Sequence, residues 1–171
     1  MPGGTLKSIV LFLALFLSTQ VKSIEIENFK SGLMCGINKD DMGWVCFEQE
    51  EIQITGQSSC LSNGEEFKCT WYGYSFNYKN AKPDQKIECK YWDSQPVTSI
   101  NLEGVVKESS KYSEFSFNLD KTEGYFINPQ YSALAVSGND NINKIIQDVI
   151  CYSEGVEIFK YKIVSVFSTG K

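Results

Sequence analysis

Three carboxylate groups in this chain could do acid and base work: Asp40 with Asp41, Glu48 with Glu50 and Glu51, and Glu65 with Glu66. A glycoside hydrolase needs little more than an acid and a base or nucleophile held about 5 to 9.5 Å apart. Each group also reads as a solvated loop or strand edge, the ordinary setting of a short charge run. Other routes are closed by composition. The 171 residues contain no histidine and no arginine, which removes Ser-His-Asp and Cys-His nucleophiles, two-His zinc sites and arginine stabilisation of phosphoryl groups. No phosphate loop, dinucleotide glycine pattern or GxSxG elbow occurs. The stretch SGNDNIN gathers Asn139, Asp140, Asn141 and Asn143, oxygen donors that suit calcium, but it lacks the ligand order and bidentate Glu of an EF-hand. A turn and a helix cap account for it, so no metal and no cofactor are expected, and the chain reads as a non-enzyme.

Cysteine chemistry depends on compartment. The N-terminus MPGGTLKSIVLFLALFLSTQVKS has a basic Lys7, nine unbroken apolar residues from Ile9 to Leu17, and a polar segment from Ser18 to Ser23. That is the layout of a secretory signal peptide, and the apolar run falls far short of the roughly 20 residues a membrane span needs. Val21 and Ser23 suit the −3 and −1 positions of signal peptidase, which divides the chain into a signal peptide, 1–23, and a single β-rich domain, 24–171. The protein is thus expected to be periplasmic or secreted, with no stable membrane insertion after cleavage. Its six cysteines, Cys35, Cys46, Cys60, Cys69, Cys89 and Cys151, all lie in that domain. An even count in an exported chain reads as disulfides rather than as a thiolate metal site.

Proximity suggests Cys35 with Cys46 and Cys60 with Cys69, leaving Cys89 for Cys151. In CLSNGEEFKC a four-residue loop, Asn63 to Glu66, would set Cys60 opposite Cys69. A two-residue Asn63-Gly64 turn would instead set Cys60 against Phe67 and leave the cysteines diagonal, and the sequence does not choose between them.

The elements that hold these residues are mostly strands. Period-two alternation runs through Ile52-x-Ile54, Phe67-x-Cys69-x-Trp71, Ile87-x-Cys89-x-Tyr91, Phe115-x-Phe117-x-Leu119 and Phe159-x-Tyr161-x-Ile163, with turn signals between. Tyr112 to Gln130 reads as a hairpin across Asp120 to Gly124. One stretch breaks the pattern: Ile142, Ile145, Ile146, Val149 and Ile150 fall at helical spacing, with Asp140 as N-cap, Gly155 as terminator and a last strand from Val156 to Phe167. The expected fold is therefore mostly β, antiparallel and sandwich-like, disulfide-stabilised, with one C-terminal helix before the last strand. In that arrangement Cys151 would tie helix to sheet. A true immunoglobulin domain is not expected, because Trp92 follows Cys89 too closely and no tyrosine corner precedes Cys151.

Binding remains. All 16 basic residues are lysines, and two of them, Lys7 and Lys22, leave with the signal, so the mature chain carries 14 positive against 21 negative charges, a formal −7. Phosphate backbones and anionic lipid repel such a surface, so no nucleic acid is expected; a cationic partner is favoured. The stretch FKCTWYGYSFNY, Phe67 to Tyr78, reads first as a central strand covered on both sides, with Gly73 as a bulge that re-aims later residues. Its functional reading assigns Tyr72, Tyr74 and Tyr78, joined by Tyr91 and Trp92, to an exposed patch of the kind that carries protein interfaces or stacks on an uncharged glycan. The chain then reads as an exported binding protein that recognises another protein, for example as an inhibitor or immunity factor for a cationic enzyme or toxin. The alternatives are a small carboxylate-dependent glycan hydrolase and a secreted effector or structural subunit.

Overall fold

A computed structural model describes residues 23–38, 40–62, 64–97, 109–133 and 143–167. Most of the expected signal peptide, residues 1–22, lies outside the described residues, as do Asn63 and the Asn139 to Ile142 part of SGNDNIN. The described chain forms ten strands: β1 (Glu25–Ile37), β2 (Met42–Glu48), β3 (Glu51–Ile54), β4 (Ser58–Ser62), β5 (Glu65–Lys79), β6 (Gln85–Val97), β7 (Ser110–Leu119), β8 (Gly124–Ala133), β9 (Lys144–Ser153) and β10 (Val156–Phe167). They make two five-stranded sheets. In the first, β1 and β4 pair along one edge of β5, β8 pairs along the other, and β2 hangs on the far side of β1. The second runs β3-β10-β9-β6-β7. All pairings are antiparallel except β3 with β10.

The inward alternation of both sheets builds one core. Ile87, Cys89 and Tyr91 from β6 and Phe159, Tyr161 and Ile163 from β10 face Tyr74, Phe76 and Tyr78 of β5. Rings interlock across the gap, with Phe76 5.1 Å from Phe159 and Tyr74 5.0 Å from Tyr161, while within the first sheet Phe76 lies 5.2 Å from its cross-strand partner Phe126. Tyr and Phe bury large apolar area per residue, which suits a sandwich of this size.

The disulfides join Cys35 to Cys46, Cys60 to Cys69 and Cys89 to Cys151. Three such bonds belong to an oxidising compartment. The hairpin register is the two-residue one: Ser62 pairs with Glu65, Cys60 with Phe67, and Ser58 with Cys69, so the cysteines bridge on the diagonal. Gly64 takes a φ of 80°, which the tight turn requires and a glycine adopts freely.

Three expectations are corrected. The helix does not form; its described residues from Lys144 onward belong to β9, where Val149, Cys151 and Ser153 point into the core at period two. Ile145, Ile146, Val149 and Ile150 are β-branched and pack well on a pleated surface, and pairing with both β6 and β10 satisfies their backbone in extended form. Cys151 therefore sits directly opposite Cys89 on the neighbouring strand, joining two strands of one sheet instead of helix to sheet. Asp120 to Gly124 is no hairpin either. Leu119 pairs with Gln85 in the second sheet while Tyr125 pairs with Asn77 in the first, so this link crosses between sheets. Finally, Gly73 is no bulge. It sits in continuous register with Gly32 and Pro129, and a Cβ there would lie 2.2 Å from the Asn128 carbonyl oxygen and 2.7 Å from the Met34 sulfur. Close approach of neighbouring chain, rather than a break in pairing, demands glycine.

Candidate functional surface

Of the five residues expected to present an aromatic patch, four point inward. Tyr74 has no exposed surface, Tyr78 and Tyr91 are buried in the core, and Tyr72 is half-buried against it. The reason is the second sheet: the β5 face that carries Tyr72, Tyr74, Phe76 and Tyr78 is the one it covers. The opposite face, with Phe67 and Trp71, packs on Tyr131 of β8 at 5.7 and 5.1 Å.

The inward phenols form a polar knot at the level of Tyr91. The Gln130 side chain donates to the Tyr91 hydroxyl at 3.3 Å, and the Tyr74 and Tyr161 hydroxyls lie buried beside it without a well-formed hydrogen bond. Burial pushes the phenols of Tyr72, Tyr74, Tyr91 and Tyr161 up, away from ionisation. Nearby Asp93 is raised by burial too, opposed by a 2.9 Å hydrogen bond from Gln147. The knot is a neutral, packed interior.

Trp92 is the most exposed of the five, at 39%. It pairs with Tyr112 of β7, their rings 5.7 Å apart, on the outer face of the second sheet. Its other neighbour is Asp148, which meets Lys162 at 3.5 Å. The Tyr112 hydroxyl donates to Glu114.

A second exposed group escaped the sequence reading. Along β2, Met42, Trp44 and Phe47 are 59%, 54% and 60% exposed, a concentration of apolar surface within seven residues. The hairpin that carries them is held by several devices. Asp41 accepts the Gly43 N–H at 2.8 Å and Asn38 accepts the Asp40 N–H at 2.9 Å, closing the turn. Cys46 falls where the register slips between Leu33 and Met34, so it is the extra residue of a bulge, and its disulfide to Cys35 fixes that bulge. Trp44 rests on Gly36, where a Cβ would come within 2.1 Å of the indole ring. The six-membered ring of the indole is thereby seated while Trp44 stays more than half exposed.

Charge surrounds this strand. Asp40, Asp41, Glu48, Glu50 and Glu51 flank it in sequence, the carboxylates first considered as acid and base pairs. Glu48 binds Lys30 at 2.6 Å, and this contact raises the Lys30 ammonium. Glu65 and Glu66 stand apart on the β4–β5 hairpin, exposed. The legible signal for β2 was an apolar run, MGWVCFE, closed by acids at both ends.

No family model and no curated protein matches the chain. Among solved structures, the alkylpurine DNA glycosylase AlkC of Pseudomonas fluorescens aligns at 12% identity over 84% of this chain and 30% of that one, with a TM-score of 0.36 that carries no argument. An immunoglobulin-like protein from Pseudomonas aeruginosa aligns over 85% of this chain and 98% of its own, at 7% identity and a TM-score of 0.51. Trp92 lies outside the core and Cys89–Cys151 stays within one sheet, so the resemblance is one of architecture: the chain is a disulfide-stabilised β-sandwich whose fold is similar to that of this neighbour.

Proposed function

We propose that this protein is an exported binding protein that recognises another protein, with the β1–β2 hairpin as its contact surface. The observation that carries the reading is the exposure of Met42, Trp44 and Phe47 on a strand rigidified by a turn and a disulfide. Tryptophan and aromatic anchors dominate interface energetics, and a pre-organised surface loses little entropy on docking. The acidic flanks favour a cationic partner by steering and complementarity, and an inhibitor or immunity factor for a cationic enzyme or toxin is one concrete form.

A second reading rests on Trp92 and Tyr112, an exposed aromatic pair bordered by hydrogen-bonding carboxylates, which suits stacking against an uncharged glycan. The two readings separate in one experiment. The mature chain is used as bait beside a Trp44→Ala/Phe47→Ala variant and a Trp92→Ala/Tyr112→Ala variant, with circular dichroism to check folding. Loss of a protein partner only in the first variant is expected. Unchanged protein capture by that variant would sink the β2 reading, and loss of glycan retention only in the second would establish the other.

A further inference from the structure

We infer that the Cys35–Cys46 bond is a thiol–disulfide exchange site, which an external dithiol opens while the other two disulfides stay closed. Opening it loosens the end of the β1–β2 hairpin that carries Met42 and Trp44. The exchange site stands on burial and strand pairing alone; its effect on partner binding rests on the reading of the hairpin as the contact surface.

The three disulfides differ in access. Cys60, Cys69, Cys89 and Cys151 are at most 3% exposed, and the last two belong to the shared core. Cys35 and Cys46 are only half-buried, at the edge of the first sheet. Exchange needs a thiolate to reach a sulfur, so the buried bonds wait for the fold to open and this one does not.

They differ also in what else holds their strands. Cys89 lies on β6, between β7 and β9, and Cys151 on β9, between β6 and β10. By contrast, the pairing of β1 with β5 ends at Leu33, and from Met34 onward β1 and β2 pair only with each other among the described residues. That ladder is irregular. Its register slips between Leu33 and Met34, and Gly43 takes a φ of 71° with its N–H held by Asp41. A two-stranded ribbon is marginal in water on its own, so the covalent bond fixes what the ladder holds weakly. Cys35 pairs with Trp44, which puts the bond at the root of the exposed indole.

In the exchange, one thiolate of the dithiol attacks either sulfur, a mixed disulfide forms and the other cysteine leaves as a thiolate that takes up a proton. The reagent's second thiol then attacks the mixed disulfide and frees the remaining cysteine. Two electrons and two protons pass to Cys35 and Cys46, and the dithiol ends as its own disulfide.

The test exposes the oxidised mature chain to graded dithiothreitol, with freed thiols alkylated and located by mass spectrometry. Cys35 and Cys46 should be labelled at least about tenfold faster than the other four. Amide hydrogen exchange in residues 42–45 should then speed up while β5 and β6 stay unchanged, and a Cys35→Ser/Cys46→Ser variant should show the same pattern without reductant. Labelling of all six cysteines together, earlier labelling of Cys60 and Cys69, or unaltered exchange in residues 42–45 would overturn the inference. Where the oxidised chain captures a partner, the selectively reduced chain should hold it at least about tenfold more weakly, having lost its pre-organised surface. Equal capture by both forms, with loss in the Trp44→Ala/Phe47→Ala bait, would leave the contact surface standing and sink its redox control. A bait that keeps its partner would sink the contact reading and leave the exchange site to be decided by the thiol labelling.

Discussion

β5 and β2 are both rich in aromatic and apolar residues, and they end in opposite surroundings. FKCTWYGYSFNY runs through the middle of its sheet, paired on both sides and covered by the second sheet, and its Tyr74 and Phe76 have no exposed surface. MGWVCFE runs along an edge, paired on one side, and leaves Met42, Trp44 and Phe47 more than half exposed. Position in the sheet, rather than density of rings, decides which aromatics are structure and which are surface. A disulfide accompanies each strand, yet the one at Cys69 lies fully buried and the one at Cys46 holds a hairpin whose Met42, Trp44 and Phe47 stay exposed.

The contrast can be broken most directly at Phe76. Phe76→Ala should cost about 3 to 5 kcal/mol of stability by denaturant unfolding, as lost burial plus a cavity, since four other rings surround it. A loss below about 1 kcal/mol would show that β5 is not the centre of the core. Removing the Cys35–Cys46 staple, with both cysteines changed to alanine, closes a smaller question. Its sequence separation of 11 gives about 3 kcal/mol on the chain-entropy model, and hydrogen exchange in β2 should rise more than in β5. Uniform acceleration throughout would mean that the hairpin is part of the core's cooperative unit.

Trp44→Ala sharpens the comparison from the other side, with a stability change of about 0.5 kcal/mol or less. A core-sized loss would mean that the indole is structural after all. The smallest effect is expected at Asp93. Burial raises its carboxyl in the folded state above the ordinary value, so the folded protein holds that proton more tightly, and stability falls as pH rises through the interval between the two values. Asp93→Asn should therefore be slightly more stable than wild type at neutral pH and indistinguishable below the ordinary carboxylate range. The reverse ranking would show that the hydrogen bond from Gln147 outweighs burial.

Much of this architecture was readable before any coordinates. Alternation located the paired segments, and the cysteine spacing gave the disulfide partners, because local residues meet in hairpins and the last two cysteines were left for each other. What failed had a common cause. Ile145, Ile146, Val149 and Ile150 satisfy helical spacing and strand alternation alike, and only the neighbours on β6 and β10 decide between them. Tyr72, Tyr74 and Tyr78 share one strand face by periodicity, but which face the other sheet covers is not written in the strand. The exposure of Trp44 likewise depends on β2 having a neighbour on one side only, a property of topology that local composition hints at through its acidic flanks and does not determine.

The bond between Cys89 and Cys151 closes a covalent ring that contains all of β7 and β8 and most of β6 and β9. Any single peptide cut between those two cysteines opens the ring without dividing the molecule. Such a cut would leave one band on a non-reducing gel and two after reduction, and the severed pieces would stay registered at the centre of the sheet. Exposed to a protease, the chain can therefore be nicked across the stretch from Lys90 to Ile150 and still persist as one particle, whereas a cut in the β5–β6 link, between Lys79 and Gln85, would release β1 through β5 from covalent connection to the rest.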